Sequence, residues 1–331
     1  MRRSCQRKER VGVVYGGISA EREVSLKSGV AVAEALGNAG YPVDLIDLRD
    51  TSLGELTLDR MDVAFNVVHG TFGEDGGLQS VLEVLGVPYT HSGVTASRLA
   101  MDKSASKACF RRAGLPTPAS VEIEAQWASE RRLAAAALVG FPAVVKPASQ
   151  GSSVGVNLVW SNEELNAAIA HALEFDERAI VEEFIPGREL TVGILGDRPL
   201  PIVELLYRGP IFTWNIKYTA GQAEHIINPA LPHGLADHVA GLALRAHSAL
   251  GCRGCSRVDL RLDRNNEPFI LEVNTIPGMT GTSLLPDAAK AAGISFTELC
   301  VSVVEAALGT RRRPASRRLP REVPTLALAR A

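Results

Sequence analysis

Lys146 closes the apolar run FPAVVK and is followed by the hydroxyl-rich stretch PASQGSSVG and a second apolar run ending at Trp160. A cation beside a turn rich in glycine and serine suits a phosphate, because such turns present several backbone N–H groups and the ammonium adds charge. The order excludes a P-loop, in which the lysine follows the glycines and opens a helix. Here Lys146 comes first and Val156 to Trp160 reads as another strand, so the loop is a hairpin tip free to fold over a ligand. A second cluster lies in SRVDLRLDRNNEPFILEVN. Glu272 and Asn274 are two residues apart and share a strand face, and an antiparallel partner joined through the turn RNNE can bring Asp259 beside them. Three oxygen donors among Val, Leu and Ile are costly to bury unless a cation or a hydrogen-bond network compensates them. Hard oxygen ligands suit magnesium, which keeps waters and substrate phosphates as its remaining ligands. An edge hairpin facing solvent explains that stretch equally well when it is taken alone; alongside Lys146 and the Ser/Gly loop, the metal-phosphate reading prevails.

These residues need a scaffold, and the chain supplies alternating elements. VGVVYGG, Val11 to Gly17, reads as a strand and turn, and Ser19 to Ala39 carries helical spacing at Val24, Ala31 and Leu36. YPVDLIDL and MDVAFNVVHG read as strands, GGLQSVLEVLG as a helix and VPYT as a short strand. This βα alternation predicts a parallel sheet with helices on both faces. A dinucleotide-binding domain is the rival, but YGGISAE lacks the G-x-G-x-x-G spacing. A polar, Lys-rich helix is expected from Thr95 to Gly114, then a Pro-punctuated link, GLPTPAS, at a domain boundary. After the Lys146 hairpin come a helix, Glu163 to Phe175, and AIVEEFIPG; then apolar runs at Arg188 to Leu195 and Leu200 to Leu206, an irregular loop to Leu231, and a helix from Leu235 to Leu250.

With 331 residues the chain exceeds what one core serves, since single cores stop growing near ~250 to 300 residues. A formal charge of -2 and 46% hydrophobic residues describe an ordinary globular protein, not a nucleic-acid coat. The apolar runs fall short of a membrane span, and the basic opening MRRSCQRKER lacks the apolar segment of a signal peptide, so a cytoplasmic location is expected, with neither membrane nor nucleic acid as partner. Five cysteines, an odd number, point to reduced thiols; CRGC, Cys252 to Cys255, has no second ligand pair for zinc. The Arg/Pro-rich end after Gly309 reads as a disordered tail.

Seven stretches in order, GGISAEREVSLKSG, HGTFGEDGGLQ, MDK, KPASQGSSVGV, KY, RVDLRLD and EVNTIPGMTGTSL, resemble the D-alanine-D-alanine ligases of the ATP-grasp superfamily over roughly Val11 to Leu308. The resemblance implies an α/β and α+β, three-domain ATP-grasp architecture: an N-terminal parallel α/β substrate-binding domain (10–97), a central ATP-grasp subdomain with the Ser/Gly lid (98–186), a C-terminal subdomain with the metal and acceptor site (187–309) and the tail (310–331). It implies ligation of two D-alanines through a D-alanyl phosphate, for peptidoglycan precursor synthesis, with ATP as substrate and two magnesium or manganese ions. The oligomer is left open between monomer and homodimer.

The resemblance also assigns roles. Lys103, Lys146 and Lys217 would contact ATP, with Ser152 and Ser153 from the lid and Glu182, Glu183 and Glu189 on the adenine and ribose side. Asp259, Glu272 and Asn274 would hold metal. Arg257, two residues before Asp259 on one strand face, would stabilise the anionic intermediate and the transferring phosphoryl group. Glu21 would bind the first alanine's ammonium group, Ser283 with Gly278 and Leu284 the second alanine, and His69 would stand on the substrate side. Tyr218 would latch Ser152 and Glu21. Where many members carry a tyrosine-rich stretch, this chain reads IFTWNIKY, with Trp214 and Asn215. Two other readings are carried: a related ligase with another D-amino acid or D-lactate as acceptor, and a non-catalytic nucleotide-binding regulator, against which the intact Lys103, Lys146, Arg257, Asp259, Glu272 and Asn274 argue.

Overall fold

The computed structural model describes residues 8–57, 59–212, 216, 219 and 221–311. Its first layer is a parallel sheet of β1 (Val11–Tyr15), β2 (Val43–Asp47) and β3 (Val63–Asn66), in the order β2-β1-β3. Strands β1 and β3 are apolar and buried nearly throughout, as a sheet covered on both faces requires. Helix α1 (Arg22–Asn38) buries Val32, Ala35 and Leu36 against one face, and α2 (Gly77–Val84) buries Leu78 and Leu82 against the other. The expected strand VPYT is a single bridge, Ala64 to Tyr89. Pro88 has no N–H to donate and His91 turns into the left-handed region at φ 67°, so the ladder stops there.

The expected helix from Thr95 to Gly114 is two helices, α3 (Val94–Met101) and α4 (Lys103–Arg112). Asp102 breaks them with an extended ψ of 102° and caps the second, its side chain accepting from the Ala105 N–H at 2.9 Å. The central sheet is antiparallel, built from β4 (Ser120–Glu124), β5 (Ala143–Pro147), β6 (Asn157–Val159) and β7 (Arg178–Glu183) in the order β4-β7-β5-β6, with α5 (Ser129–Ala136) and α6 (Asn162–Ala172) on it. Strands β5 and β6 form the expected hairpin, Ala143 opposite Val159.

The third sheet is antiparallel, in the order β10-β9-β8-β11-β12: β8 (Arg188–Leu195), β9 (Arg198–Tyr207), β10 (Ala223–Ile227), β11 (Cys255–Leu262) and β12 (Pro268–Asn274). Strand β10 lies inside what reads in sequence as an irregular loop. Helix α7 (Leu235–Ala249) packs Val239, Leu242, Ala243 and Ala246 on one face of this sheet. Helices α8 (Leu284–Ala291) and α9 (Phe296–Arg311) join a different core, in which Leu285, Val303 and Val304 meet Val11, Leu36 and Phe65 of the first layer. The tail beyond Arg311 lies outside the described residues.

Candidate active site

The three sheets converge on one cavity of about 860 Å³. Its floor is the β11–β12 hairpin, where alternation sends Val258, Leu260 and Leu262 into the α7 core and leaves Arg257, Asp259 and Arg261 lining the cavity. On β12 plain alternation from the buried Ile270 would turn Glu272 and Asn274 away from the cavity. A register shift prevents this: Asp259 pairs with Glu272 but Leu260 with Ile270, so Leu271 is an extra residue. One bulged residue flips every following side chain to the other face, and Glu272 and Asn274 line the cavity beside Asp259.

Each oxygen donor is held. Arg257 grips Asp259 through Nε and Nη2, both at 3.0 Å, and Thr191 of β8 donates to Asp259 Oδ1 at 2.5 Å. Burial disfavours the Arg257 cation, but Asp259 outweighs it and holds the guanidinium above its ordinary pKa. Asn274 Oδ1 accepts from the Ile276 N–H at 2.9 Å, which orients its amide. Glu272 Oε2 stands 3.4 Å from Lys103 Nζ, which also donates to Gln150 O at 2.6 Å. Lys103 thus ties the floor to the root of the β5–β6 tip.

Lys146 projects from β5 to Glu182 Oε1 of β7 at 2.5 Å, and Lys107 reaches the other oxygen, Oε2, at 2.9 Å. Burial alone would raise the Glu182 carboxyl; Lys107 and Lys146 overcome it and bring it below the ordinary carboxylate range. Glu183, the next residue, is exposed and lines the cavity. Glu189 of β8 also lines it and takes hydrogen bonds from the Tyr207 hydroxyl at 2.5 Å and Arg261 Nη1 at 3.0 Å. Burial still pushes the Glu189 carboxyl up.

Above this floor hangs the β5–β6 tip. Ser152 and Ser153 both adopt the left-handed region, φ 53° and 57°, which non-glycine residues visit at a steric cost. Ser152 Oγ donates to Glu21 Oε1 of the first layer, and Ser153 Oγ to Phe212 O, beyond β9, at 2.8 Å, so the tip is held from two sides. Glu21 sits at the N-cap position of α1. His69 follows β3, is nearly fully buried, and places Nδ1 3.2 Å from Glu74 Oε1. Its Nε2 has no partner among the described residues.

At the far end Ser283 caps α8 by position, with its Oγ 2.7 Å from Thr280 Oγ1 and accepting from the Thr280 N–H at 3.1 Å. A Cβ at Gly278 would stand 2.8 Å from that Oγ, so a larger residue there would push the Ser283 hydroxyl aside. Leu284 completes this wall. All the expected residues that the structure describes therefore line one cavity; Lys217 and Tyr218, with Trp214 and Asn215, lie outside the described residues. Sequence reading missed Lys107, Thr191 and Arg261. Lys107 was within reach, being four residues after Lys103 and so on the same helix face; so was Arg261, two residues after Asp259 on one strand face, whereas Thr191 carries no local signal.

Comparison with known proteins places this geometry. The family described as D-ala D-ala ligase C-terminus matches residues 109–305, and D-ala D-ala ligase N-terminus matches residues 50–92. The D-alanine–D-alanine ligase of Desulforudis audaxviator is 49% identical over 302 residues, covering 90% of this chain and 98% of the relative. That of Pelotomaculum thermopropionicum is 45% identical over 92% of this chain and 99% of the relative. The crystal structure of the Bacillus anthracis D-alanine–D-alanine ligase complexed with ATP superposes with a TM-score of 0.78 at 32% identity, covering 92% of this chain and 99% of that one. Matched by both family models and 49% identical to a relative over 90% of its length, the chain belongs to the D-alanine–D-alanine ligase family.

Proposed function

We propose that the protein joins two D-alanines at the expense of ATP. The γ-phosphoryl group passes to the carboxylate of the first D-alanine, giving an acyl phosphate and ADP. The amine of the second attacks the acyl carbon, the C–O bond breaks with its electron pair going to the departing phosphate, the new amide nitrogen loses a proton, and the dipeptide serves peptidoglycan precursor synthesis in the cytoplasm. The observation that carries this reading is the joining of Lys103 and Lys146, the carboxylate-bearing floor, a serine-bearing hairpin tip and the Glu21 carboxylate around one cavity.

Lys103 and Lys146 neutralise the phosphates, with Lys217 as a third cation by family resemblance. Glu182 and Glu183 take the adenine end and Glu189 the ribose. Arg257 is fixed by Asp259 before the reaction, so its charge meets the tetrahedral oxyanion without reorganising. Glu21 takes the ammonium of the first D-alanine and His69 stands beside it; Ser283, Leu284 and the backbone at Gly278 receive the carboxylate of the second. The hairpin tip excludes water from an acyl phosphate that would otherwise hydrolyse. A pair of magnesium or manganese ions fits the floor, because Asp259 and Glu272 are opposed across the strands and Asn274 keeps one carbonyl lone pair free of Ile276. Held by these three residues, the ions would supply charge neutralisation for the phosphates.

Purified protein incubated with ATP, magnesium and D-alanine is expected to release dipeptide, ADP and phosphate in equal amounts. Equal ATP hydrolysis without any amino acid overturns the reading. Tyr218 separates acceptors: a phenol adds no positive charge to repel an incoming ammonium, so D-alanine should outcompete D-lactate at pH 7.5. Mass analysis showing mainly D-alanyl-D-lactate at that pH would reverse the acceptor assignment.

A further inference from the structure

Lys107 is fully buried and does not line the cavity, yet its ammonium group is part of the nucleotide end. It stands 2.9 Å from Glu182 Oε2 and donates to Thr117 Oγ1 at 2.9 Å; Thr117 in turn donates to the Ile270 carbonyl of β12 at 2.8 Å. The opposite oxygen of Glu182 is taken by Lys146, the lysine that does face the cavity. One buried carboxylate therefore sits between an inner cation and an outer one. If Lys146 were the sole counter-ion of Glu182, it would have to neutralise that carboxylate and a triphosphate together. A buried charge that loses its partner is strongly unfavourable, so the carboxylate would hold Lys146 against the protein wall.

We propose that Lys107 is a positioning residue for the nucleotide, neutralising Glu182 from the protein side so that Lys146 stays available to an anion in the cavity. The claim rests on the ligase reading and deepens it. Position follows from the fold: Lys107 lies four residues after Lys103 on α4, so one helix sets the cation at the phosphates and the cation behind Glu182. The helix is itself anchored, since Arg178 Nη2 binds its capping Asp102 at 2.8 Å. Through Thr117 the same ammonium is tied to β12 two residues before Glu272, which links the Glu182 end of the cavity to its floor.

The charges around Lys107 are Glu182 on β7, Lys146 on β5 and Arg111 on its own helix. Burial pushes its ammonium down to about 8, with Glu182 pulling the other way. The positioning charge is therefore complete below that pH and is lost as pH rises through it.

The test is ADP binding by calorimetry together with steady-state kinetics on the whole chain. Lys107→Met is expected to weaken ADP and to raise KM for ATP by about tenfold, with KM for D-alanine unchanged. Parent affinity for ADP should fall between pH 7 and 9, and the variant should be flat over that range. Should Lys107→Met not fold, Thr117→Val removes the tether while leaving every charge in place, and it should raise KM for ATP alone by about threefold. ADP binding like the parent's in whichever variant folds, or equal losses for ATP and D-alanine, would overturn the inference. Because ADP titration needs no turnover, it judges Lys107 even in a parent that makes no dipeptide, an outcome that would count against the ligase reading instead.

Discussion

Two hairpins meet over the cavity, and they are built in opposite ways. The β11–β12 pair has strands of eight and seven residues, and β11 is paired on both sides, with β8 as well as β12. Its inner row, Val258, Leu260, Ile270 and Val273, is fixed in the α7 core. The β5–β6 pair ends in a strand of three residues, and its tip is held by side-chain hydrogen bonds from Ser152 and Ser153. In the proposed reaction, charge that must meet a transition state unchanged sits on the deeply packed hairpin, and groups that must admit a ligand and then cover it sit on the lightly held one. Preorganisation demands the first arrangement and entry the second.

Changes on the two hairpins should therefore fail in different ways. The largest effect belongs to Glu272→Gln, which keeps shape and removes charge. Turnover should fall ~10²-fold or more, with the denaturant midpoint nearly unmoved; near-parent turnover at saturating magnesium would break the metal assignment. Leu260→Ala, one strand position past Asp259 but facing the core, should instead lower stability by about 3 kcal/mol in a urea titration. A loss below about 1 kcal/mol would mean that the floor is less tightly packed than its burial indicates. On the other hairpin, Ser152→Ala removes the bond to Glu21 and should lower dipeptide formation about tenfold while unproductive ATP hydrolysis rises, with stability unchanged. Tight coupling of ATP use to dipeptide in that variant would leave the tip with no covering role. The smallest effect is expected from Ser153→Gly, which relieves left-handed strain but loses the bond to Phe212; the two should cancel to within about 0.5 kcal/mol in the same titration.

Both hairpins were legible in sequence, because each is local: two apolar runs, a turn, and polar residues at strand spacing. What lay beyond reach was long in sequence or broke a period. The bulge at Leu271 is invisible in PFILEVN, where Glu272 and Asn274 share a face whichever way that face turns. Asp102 reads as one more polar residue in a helix until its side chain is seen capping Ala105. Strand β10 alternates weakly and is half exposed, so AEHII passes for loop. Lys107 shows no purpose until Glu182, 75 positions away, is brought against it (182 − 107 = 75).

The C-terminal helix α9 shares its core with β1 and α1. Val303 and Val304 cover the same cluster as Val11 and Val13, so the first strand to be made is among the last to be finished. At ribosomal speeds of roughly 5 to 20 residues per second, the cluster formed by β1, β3 and α1 lacks the side chains of α9 for on the order of tens of seconds of synthesis. Closing that core requires a contact across nearly the entire chain, which slows folding and prolongs the exposure of an apolar surface. A chain ending before Phe296 lacks the α9 side chains that complete the core around Val11, Val13 and Phe65.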